Sequence, residues 1–197
     1  PVAVMSAYAL SRMEFKGRKV IKNLLLITMV IPVMATIIPL YQMFAAGKML
    51  DDIFWLSMVY VSSYLPMAVW LISNYFATIP EELEEAAAID GCTAHKAFWK
   101  VIFPLSKNGV ITIVIFNFVW IWNDYIFALT FLQDKELQTL PVGIIALMES
   151  FKLKADWVTL FAGVNIVMVP SVLLYICFQK YLTKGLTFEL ETDGKKV

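Results

Sequence analysis

Residues 78–104 read TIPEELEEAAAIDGCTAHKAFWKVIFP and form the most charge-dense interior segment of a strongly apolar chain. Uncharged runs flank this segment on both sides, over residues 53–80 and 108–123. An apolar run of about 20 residues is long enough to cross a bilayer as a helix. The pattern therefore predicts a solvated loop that lies between two membrane spans.

Two short helices are expected inside this loop. Thr78 and Glu81 have the spacing of a capping box, with Pro80 in the first turn, so we predict that the first helix begins here. Its glutamates complement the positive end of the helix dipole, and Gly91 is expected to end it. The second helix is predicted over residues 93–103, ending at Pro104 because proline interrupts a helix.

The composition indicates an integral membrane protein. Hydrophobic residues make up 60% of the 197 residues and aromatic residues 14%, well above the composition of soluble domains. The net charge is zero, which gives no reason to expect a nucleic-acid partner. The two cysteines, Cys92 and Cys177, are predicted to be unpaired, since one falls in the loop and the other in an apolar span.

The order of basic and apolar stretches predicts a topology. We expect residues 1–10 to be the end of a span that begins before residue 1, followed by a basic cytoplasmic segment over residues 11–22. Full spans are predicted over residues 23–47 (one helix, kinked at its prolines), 53–77, 108–132 and 157–179, with an interfacial or re-entrant segment at 137–148. Twelve of the 16 lysines and arginines then fall on the cytoplasmic side.

The loop resembles the EAA loop of permeases from binding-protein-dependent ABC importers. That pattern is Glu-Ala-Ala, three residues, Gly, nine residues, then Ile-x-Leu-Pro. Here it is matched by Glu85, Ala86, Ala87, Gly91 and Pro104, with conservative changes at Val101 and Phe103. An ordinary capped surface hairpin is the alternative, and the flanking spans make it the weaker one.

The resemblance extends over nearly the whole chain and is closest to the carbohydrate-importing, maltose-permease-like branch. The stretches that carry it are AYALSR at residues 7–12, IPLY at 38–41, WND at 122–124, LPVG at 140–143 and GLT at 185–187. It implies an all-α polytopic transmembrane helical bundle of the type I importer class. On this view residues 1–197 are one permease domain, N-terminally truncated by the first span and most of the second, with a cytoplasmic coupling loop at 78–107.

The resemblance also implies partners and coupling residues. The expected partners are an ATP-binding cassette ATPase dimer, a second permease subunit, an extracytoplasmic solute-binding protein and the lipid of a bacterial cytoplasmic membrane. Contact with the ATPase is assigned to Glu85, Ala86, Ala87, Asp90, Gly91 and Pro104. The implied function is import of a sugar or oligosaccharide.

Several other sites are not expected. The chain has no glycine-rich phosphate loop that ends in Lys-Ser or Lys-Thr, so its energy must come from a partner. A single histidine, His95, three residues after Cys92, cannot complete a metal site or a Ser-His-Asp triad. No metal, no cofactor and no catalytic residue are therefore predicted, and the chain is not expected to be an enzyme.

No substrate-binding residue is assigned from the sequence. Asp124 within a predicted span indicates either a transport pathway or a polar link to a neighbouring helix, and the second is the commoner role. Trp120, Trp122 and Tyr125 are able to stack on a sugar, although aromatic residues in spans more often pack or lie at the interface.

Two other function classes are the alternatives. An ion-coupled secondary transporter is expected to carry several intramembrane charges or repeated halves, and neither is present. An intramembrane enzyme needs polar catalytic pairs within its spans, where Asp124 is the one ionisable candidate.

Overall fold

The computed structural model describes residues 1–151 and 157–193, with side chains for residues 1–149 and 157–179. All regular structure in these residues is helical, which confirms the predicted all-α class. The helices are α1 (Val2–Arg12), α2 (Arg18–Val30), α3 (Ile37–Ala46), α4 (Ile53–Ala77), α5 (Glu82–Ile89), α6 (Ala94–Ala97), α7 (Phe103–Trp122), α8 (Ile126–Phe131), α9 (Leu140–Phe151) and α10 (Trp157–Asp193).

Three helical stretches in the described residues are long and apolar enough to cross a membrane: Ile53–Ala77, Ala94–Trp122 and Trp157–Gln179. The first coincides with the predicted span, and the third starts where the prediction placed it, although helix α10 continues past residue 179 to Asp193. In the third, only 6% of the most apolar window is buried within the chain. A helix that is apolar and uncovered all round needs lipid or another protein against it.

The single kinked helix predicted over residues 23–47 is wrong. Helix α2 ends at Val30, and a short 3-10 turn, Val33–Thr36, precedes α3. The break falls at Pro32, which has no amide proton and disfavours a helical conformation at the residue before it. Pro39 lies in the first turn of α3, where a missing donor is tolerated. The interrupted pair counts as a fourth span only if α2 and α3 cross together.

The chain packs as two compact units. The first contains Pro1–Val30 and Tyr64–Phe116, and the second contains Ile31–Ser63 and Asn117–Phe178. In the first unit, one face of α1 packs against the second half of α4 and against the helices after α5. The buried side chains there include Ala7, Leu10, Ile72, Phe76, Phe98 and Ile102.

A close approach between α4 and α7 is also part of the first unit. Gly109 is buried, and a Cβ at this position would lie 2.7 Å from a ring carbon of Tyr75. Real Cβ atoms do not come so close, so only glycine allows the Tyr75 ring to rest on the α7 backbone here.

In the second unit, Asp51 fixes the turn between α3 and α4. Its Oδ1 accepts hydrogen bonds from the amides of Gln133 and Asp134 at 2.5 and 2.7 Å. The Asp51 amide donates to the carbonyl of Phe131 at 2.9 Å, and the Phe131 ring meets Phe44 edge-on at 4.9 Å. These contacts hold the loop over residues 47–52 against the end of α8.

Candidate functional site

The start of α5 differs from the predicted capping box. Helix α5 begins at Glu82, and the hydroxyl of Thr78 donates to the carbonyl of Tyr75 in α4 instead of accepting from the next helix. The amides of Thr78 and Ile79 also bond back to α4 carbonyls. Thr78 therefore closes α4, and the carboxylate of Glu81 is left to pair elsewhere.

The partner of Glu81 is Arg12, at the end of α1. Its Nη1 donates to Oε1 of Glu81 at 2.7 Å, and its Nε lies 3.2 Å from Oε1 of Glu84. Its Nη2 donates to the carbonyls of Phe76, at 2.7 Å, and Ile79. One guanidinium thus satisfies the C-terminal carbonyls of α4 and pairs with the acidic start of α5.

The Arg12 side chain is only 7% exposed, whereas the side chain of Glu81 is 79% exposed and that of Glu84 21%. The hydroxyl of Tyr8, one turn earlier on α1, donates to Oε2 of Glu84 at 3.2 Å. Glu84 therefore points towards α1. Tyr8 also packs on Phe98, with ring centroids 4.8 Å apart, which joins α1 to the segment after α6.

The Glu-Ala-Ala residues divide between two faces of α5. Ala87 is buried at 7% exposure and packs within the chain, on the same side as Glu84. Glu85 and Ala86 are exposed, and Ile89 is 87% exposed. Positions 82, 85, 86 and 89 lie along one side of a helix. The free stripe thus combines carboxylates with one uncovered apolar side chain.

Gly91 forms the turn that ends α5. Its φ is +77°, a left-handed conformation that favours glycine. The amide of Cys92 donates to the carbonyl of Ala87 at 2.9 Å and the amide of Gly91 to that of Ala88 at 3.0 Å, which is a Schellman motif. Asp90 precedes the turn and is exposed, and its carboxylate accepts no hydrogen bond from the described residues.

The second helix of the loop does not end at Pro104, contrary to the prediction. The oxygen of Thr93 accepts from the amide of Lys96 at 3.4 Å and caps α6, after which a π-helical turn, Phe98–Ile102, leads directly into α7. A π turn shifts the hydrogen bonds by one residue, which leaves room for the Pro104 ring and needs no amide proton from it. Ala94–Trp122 is therefore one continuous helix of 29 residues.

The predicted span over residues 108–132 is interrupted at Asp124. Helix α7 ends at Trp122, and Asp124 Oδ2 accepts from the amide of Ala128 at 3.0 Å, which caps the short helix α8. The hydroxyl of Tyr60, on α4, donates to the same oxygen at 2.8 Å. This contact favours the polar link between helices over a free pathway charge.

The aromatic residues near this break line an open cavity of about 410 Å³ in the second unit. Tyr60, Phe118 and Trp122 contribute to its wall, and the rings of Phe118 and Trp122 stack with an interplanar angle of 12°. The Trp122 indole donates to the carbonyl of Val167 at 2.9 Å. Trp120 is 63% exposed and does not line this cavity.

Arg12, Tyr8, Glu81 and Glu84 are the residues that the sequence analysis did not assign to the site. The signal was present in part, because four glutamates occur between residues 81 and 85 with no basic residue nearer in the loop than Lys96. Such a charge cluster next to a membrane span requires a cation from elsewhere in the chain. Its identity depends on tertiary contacts over 69 residues of sequence.

Known proteins are similar in sequence to this chain over most of its length. The melibiose/raffinose/stachyose import permease MelC of Bacillus subtilis is 39% identical over 185 residues, which cover 93% of this chain and 66% of that protein. The trehalose/maltose permease MalG of Thermococcus litoralis is 33% identical over 186 residues, with 94% and 66% coverage. The chain spans about two thirds of the length of these curated relatives.

The fold has a counterpart among solved structures. A chain in the crystal structure of a bacterial ABC transporter for import of the acidic polysaccharide alginate superposes with a TM-score of 0.71 and 27% identity. The match covers 90% of this chain and 66% of that one. Residues 1–188 match a single family model, which therefore covers nearly the whole chain. The chain belongs to the family of inner membrane components of binding-protein-dependent transport systems.

Proposed function

We propose that residues 1–197 form one permease domain of an ABC importer that moves a sugar or oligosaccharide across the bacterial cytoplasmic membrane. Transport proceeds by alternating access, and a separate ATP-binding cassette ATPase dimer supplies the energy. A second permease subunit and an extracytoplasmic solute-binding protein complete the assembly. The coupling loop, residues 78–107, is the element that meets the ATPase.

The observation that carries this proposal is the division of α5 into a fixed face and a free face. Glu84 and Ala87 hold the helix to the body of the first unit, while Glu85, Ala86 and Ile89 face outward. Ile89 is 87% exposed on a highly charged helix. Covering its side chain with a partner would lower the free energy, because apolar surface is removed from water. Ala86 beside it adds no bulk, so a partner groove is able to approach the backbone closely.

Two connections carry movement of α5 into the membrane helices. Arg12 links the start of α5 to α1 and to the end of α4 through hydrogen bonds of 2.7 Å. Beyond Gly91, the unbroken helix Ala94–Trp122 extends from the loop into a span. Displacement of the loop by an ATPase would therefore act on three helices of the first unit.

The relatives support a sugar as the substrate. MelC is described as a melibiose, raffinose and stachyose importer, SugB of Mycobacterium tuberculosis as a trehalose transport permease, and the solved counterpart imports alginate. These substrates are all carbohydrates, although they differ in size and charge. We therefore propose a carbohydrate as the substrate class.

Co-purification with candidate ATPase subunits tests the proposal. Glu85→Lys reverses a charge on the free face and should reduce the recovered ATPase by tenfold or more. Glu136→Lys is a control of the same charge change on an exposed residue outside the coupling loop, and should leave the recovery unchanged. Equal recovery with wild type and Glu85→Lys would remove the coupling role of this face.

The other function classes give different results in the same preparation. Uptake into proteoliposomes that is driven by an ion gradient, with no ATPase present, would indicate a secondary transporter. Chemical turnover of a substrate without ATP would indicate an intramembrane enzyme. Uptake that needs both the ATPase and the solute-binding protein is the expected outcome.

A further inference from the structure

A polar cavity of about 460 Å³ lies beside the coupling loop, between the end of α1, the start of α2 and the end of α4. All of its lining residues belong to the first compact unit. Arg12, Arg18 and Lys22 line the cavity, and Glu81 is the one carboxylate in its wall. Because Glu81 already pairs with Arg12, neither Arg18 nor Lys22 pairs with a carboxylate in the cavity wall.

The two cations differ in how they are held. Arg18 donates from Nε to the carbonyl of Leu10 at 2.8 Å and from Nη2 to that of Ser11 at 2.7 Å, which fixes its guanidinium at the end of α1. The amine of Lys22 forms no ion pair or hydrogen bond with the residues that the structure describes.

The direction of α2 adds to this positive potential. The helix starts at Arg18, and its first turn contains no acidic residue. A helix N-terminus carries partial positive charge, so Arg18 and Lys19 occupy the end where cations are unfavourable. An anion placed at this point would compensate the partial positive charge of the helix end and the charges of Arg18 and Lys22.

The remaining wall provides neutral polar groups and an apolar border. Ser73, Asn74 and Thr78, from the last turns of α4, contribute hydroxyl and amide groups. Immediately after Lys22 the chain becomes uncharged, so the cavity lies where the basic segment meets the membrane. A phospholipid matches both sides of this boundary, because its phosphate would contact the basic residues and its acyl chains the apolar ones. A free anion would contact the basic side alone.

We propose that this cavity binds the phosphate headgroup of an anionic phospholipid from the cytoplasmic leaflet. Basic pockets between membrane helices on the cytoplasmic side recognise such headgroups, with about 1 kcal/mol for each lysine or arginine near the surface. The cytoplasmic placement rests on the proposed function, because it assumes that the coupling loop faces an ATPase. The binding chemistry does not depend on that assumption.

A bound headgroup would lie against the wall that holds α5. Arg12 lines the cavity and also pairs with Glu81, so a phosphate in the cavity competes with or reinforces the contacts that position the coupling loop. The content of anionic lipid in the membrane would then change how firmly α5 is held.

Native mass spectrometry of the full-length protein, released from nanodiscs, tests the proposal. The nanodiscs contain phosphatidylcholine with one quarter phosphatidylglycerol, and the readout is the ratio of the two lipids that remain bound. We expect phosphatidylglycerol to be enriched in the wild type. Lys22→Gln should reduce this enrichment by about fivefold, since one cation near a phosphate is removed.

Two further variants separate the site from the general basic surface. Lys22→Arg keeps the cation and should keep the enrichment, while Lys107→Gln removes an exposed charge outside the cavity and should change it little. Equal enrichment in wild type and Lys22→Gln would overturn the proposal. So would displacement of the lipid by millimolar inorganic phosphate, because the ligand would then be a free anion.

This measurement is independent of the proposed function. Lipid retention is read on the permease whether or not an ATPase is bound, whereas ATPase recovery is read by co-purification. Lipid enrichment without any ATPase partner would leave the cavity assignment intact and remove the coupling role. ATPase recovery without lipid enrichment would leave the coupling role intact and remove the cavity assignment.

Discussion

Arg12 donates a 2.7 Å hydrogen bond from Nη1 to Oε1 of Glu81, across 69 residues of sequence. The same guanidinium bonds to two carbonyls at the end of α4, so one buried side chain joins three helices at the base of the loop. The exposed Glu81 carboxylate contributes little energy by itself. The main role of Arg12 is to satisfy polar groups that would otherwise be buried without a partner.

Arg12→Ala should therefore destabilise the first unit by about 1–3 kcal/mol, because the carbonyl of Ile79 loses its donor and that of Phe76 keeps only the Ile79 amide. Arg12→Lys should recover only part of this, since an ammonium group cannot reproduce the planar fork. Thermal unfolding of the purified protein measures the effect. Lys16→Ala removes an exposed charge from the same basic segment and should leave the transition unchanged.

Gly91 should tolerate few substitutions. At φ +77°, Gly91→Ala is expected to cost about 1–2 kcal/mol, and Gly91→Asn less because asparagine tolerates the left-handed region. Gly91→Pro forces φ near −65° and removes the amide that bonds to Ala88, so it should break the hairpin and abolish coupled uptake.

The control for this series is Gly143→Ala. A Cβ at Gly143 meets nothing within 4 Å, and its φ is not in the left-handed region, so stability and uptake should both be retained. Full uptake with Gly91→Pro would contradict the coupling role of the loop. ATPase activity measured in parallel distinguishes uncoupling from loss of the complex.

Gly109→Ala should disrupt the packing of α4 on α7. The added methyl group would lie 2.7 Å from the Tyr75 ring, and forced overpacking typically costs about 1–3 kcal/mol. The unfolding midpoint in detergent should fall. Replacing Tyr75 by leucine in the same protein should return part of the loss, and absence of any such recovery would place the strain elsewhere.

Tyr60 and Asp124 should be energetically coupled. A double-mutant cycle with Tyr60→Phe and Asp124→Asn is expected to give an interaction energy of about 0.5–3 kcal/mol, because the hydroxyl and the carboxylate meet at 2.8 Å. Unfolding of the four proteins in detergent provides the values. Additive effects of the two substitutions would show that the contact contributes no stability.

The sequence was sufficient to locate elements whose ends are marked by local chemistry. Helix α4 has the predicted ends because an uncharged run of 25 residues is bounded by Asp52 and by the turn before Pro80. The turn at Gly91 also follows from a local conformational preference. The family resemblance carried by Glu85, Ala86, Ala87, Gly91 and Pro104 led to the family that the comparisons established.

The errors arose where a distant group or a rare geometry decided the outcome. The capping box at Thr78 failed because the Thr78 hydroxyl bonds back to Tyr75 in α4, and the Glu81 carboxylate pairs with Arg12 instead of a backbone amide. Asp124 interrupts a span because it caps α8 and accepts from Tyr60. Arg12 is 69 residues from Glu81 in the sequence, and Tyr60 is 64 residues from Asp124. Local sequence patterns therefore could not identify either partner.

The π-helical turn Phe98–Ile102 has a consequence for chain length in the loop. A π turn holds one more residue than the α-helical hydrogen-bond pattern allows, so the segment stores a single extra residue. Deleting that residue would rotate the loop by about 100° around the axis of α7. The stripe of Glu85, Ala86 and Ile89 would then face a different direction while α4 and α7 kept their sequences. The spacing of nine residues between Gly91 and Val101 therefore determines the direction in which this stripe faces.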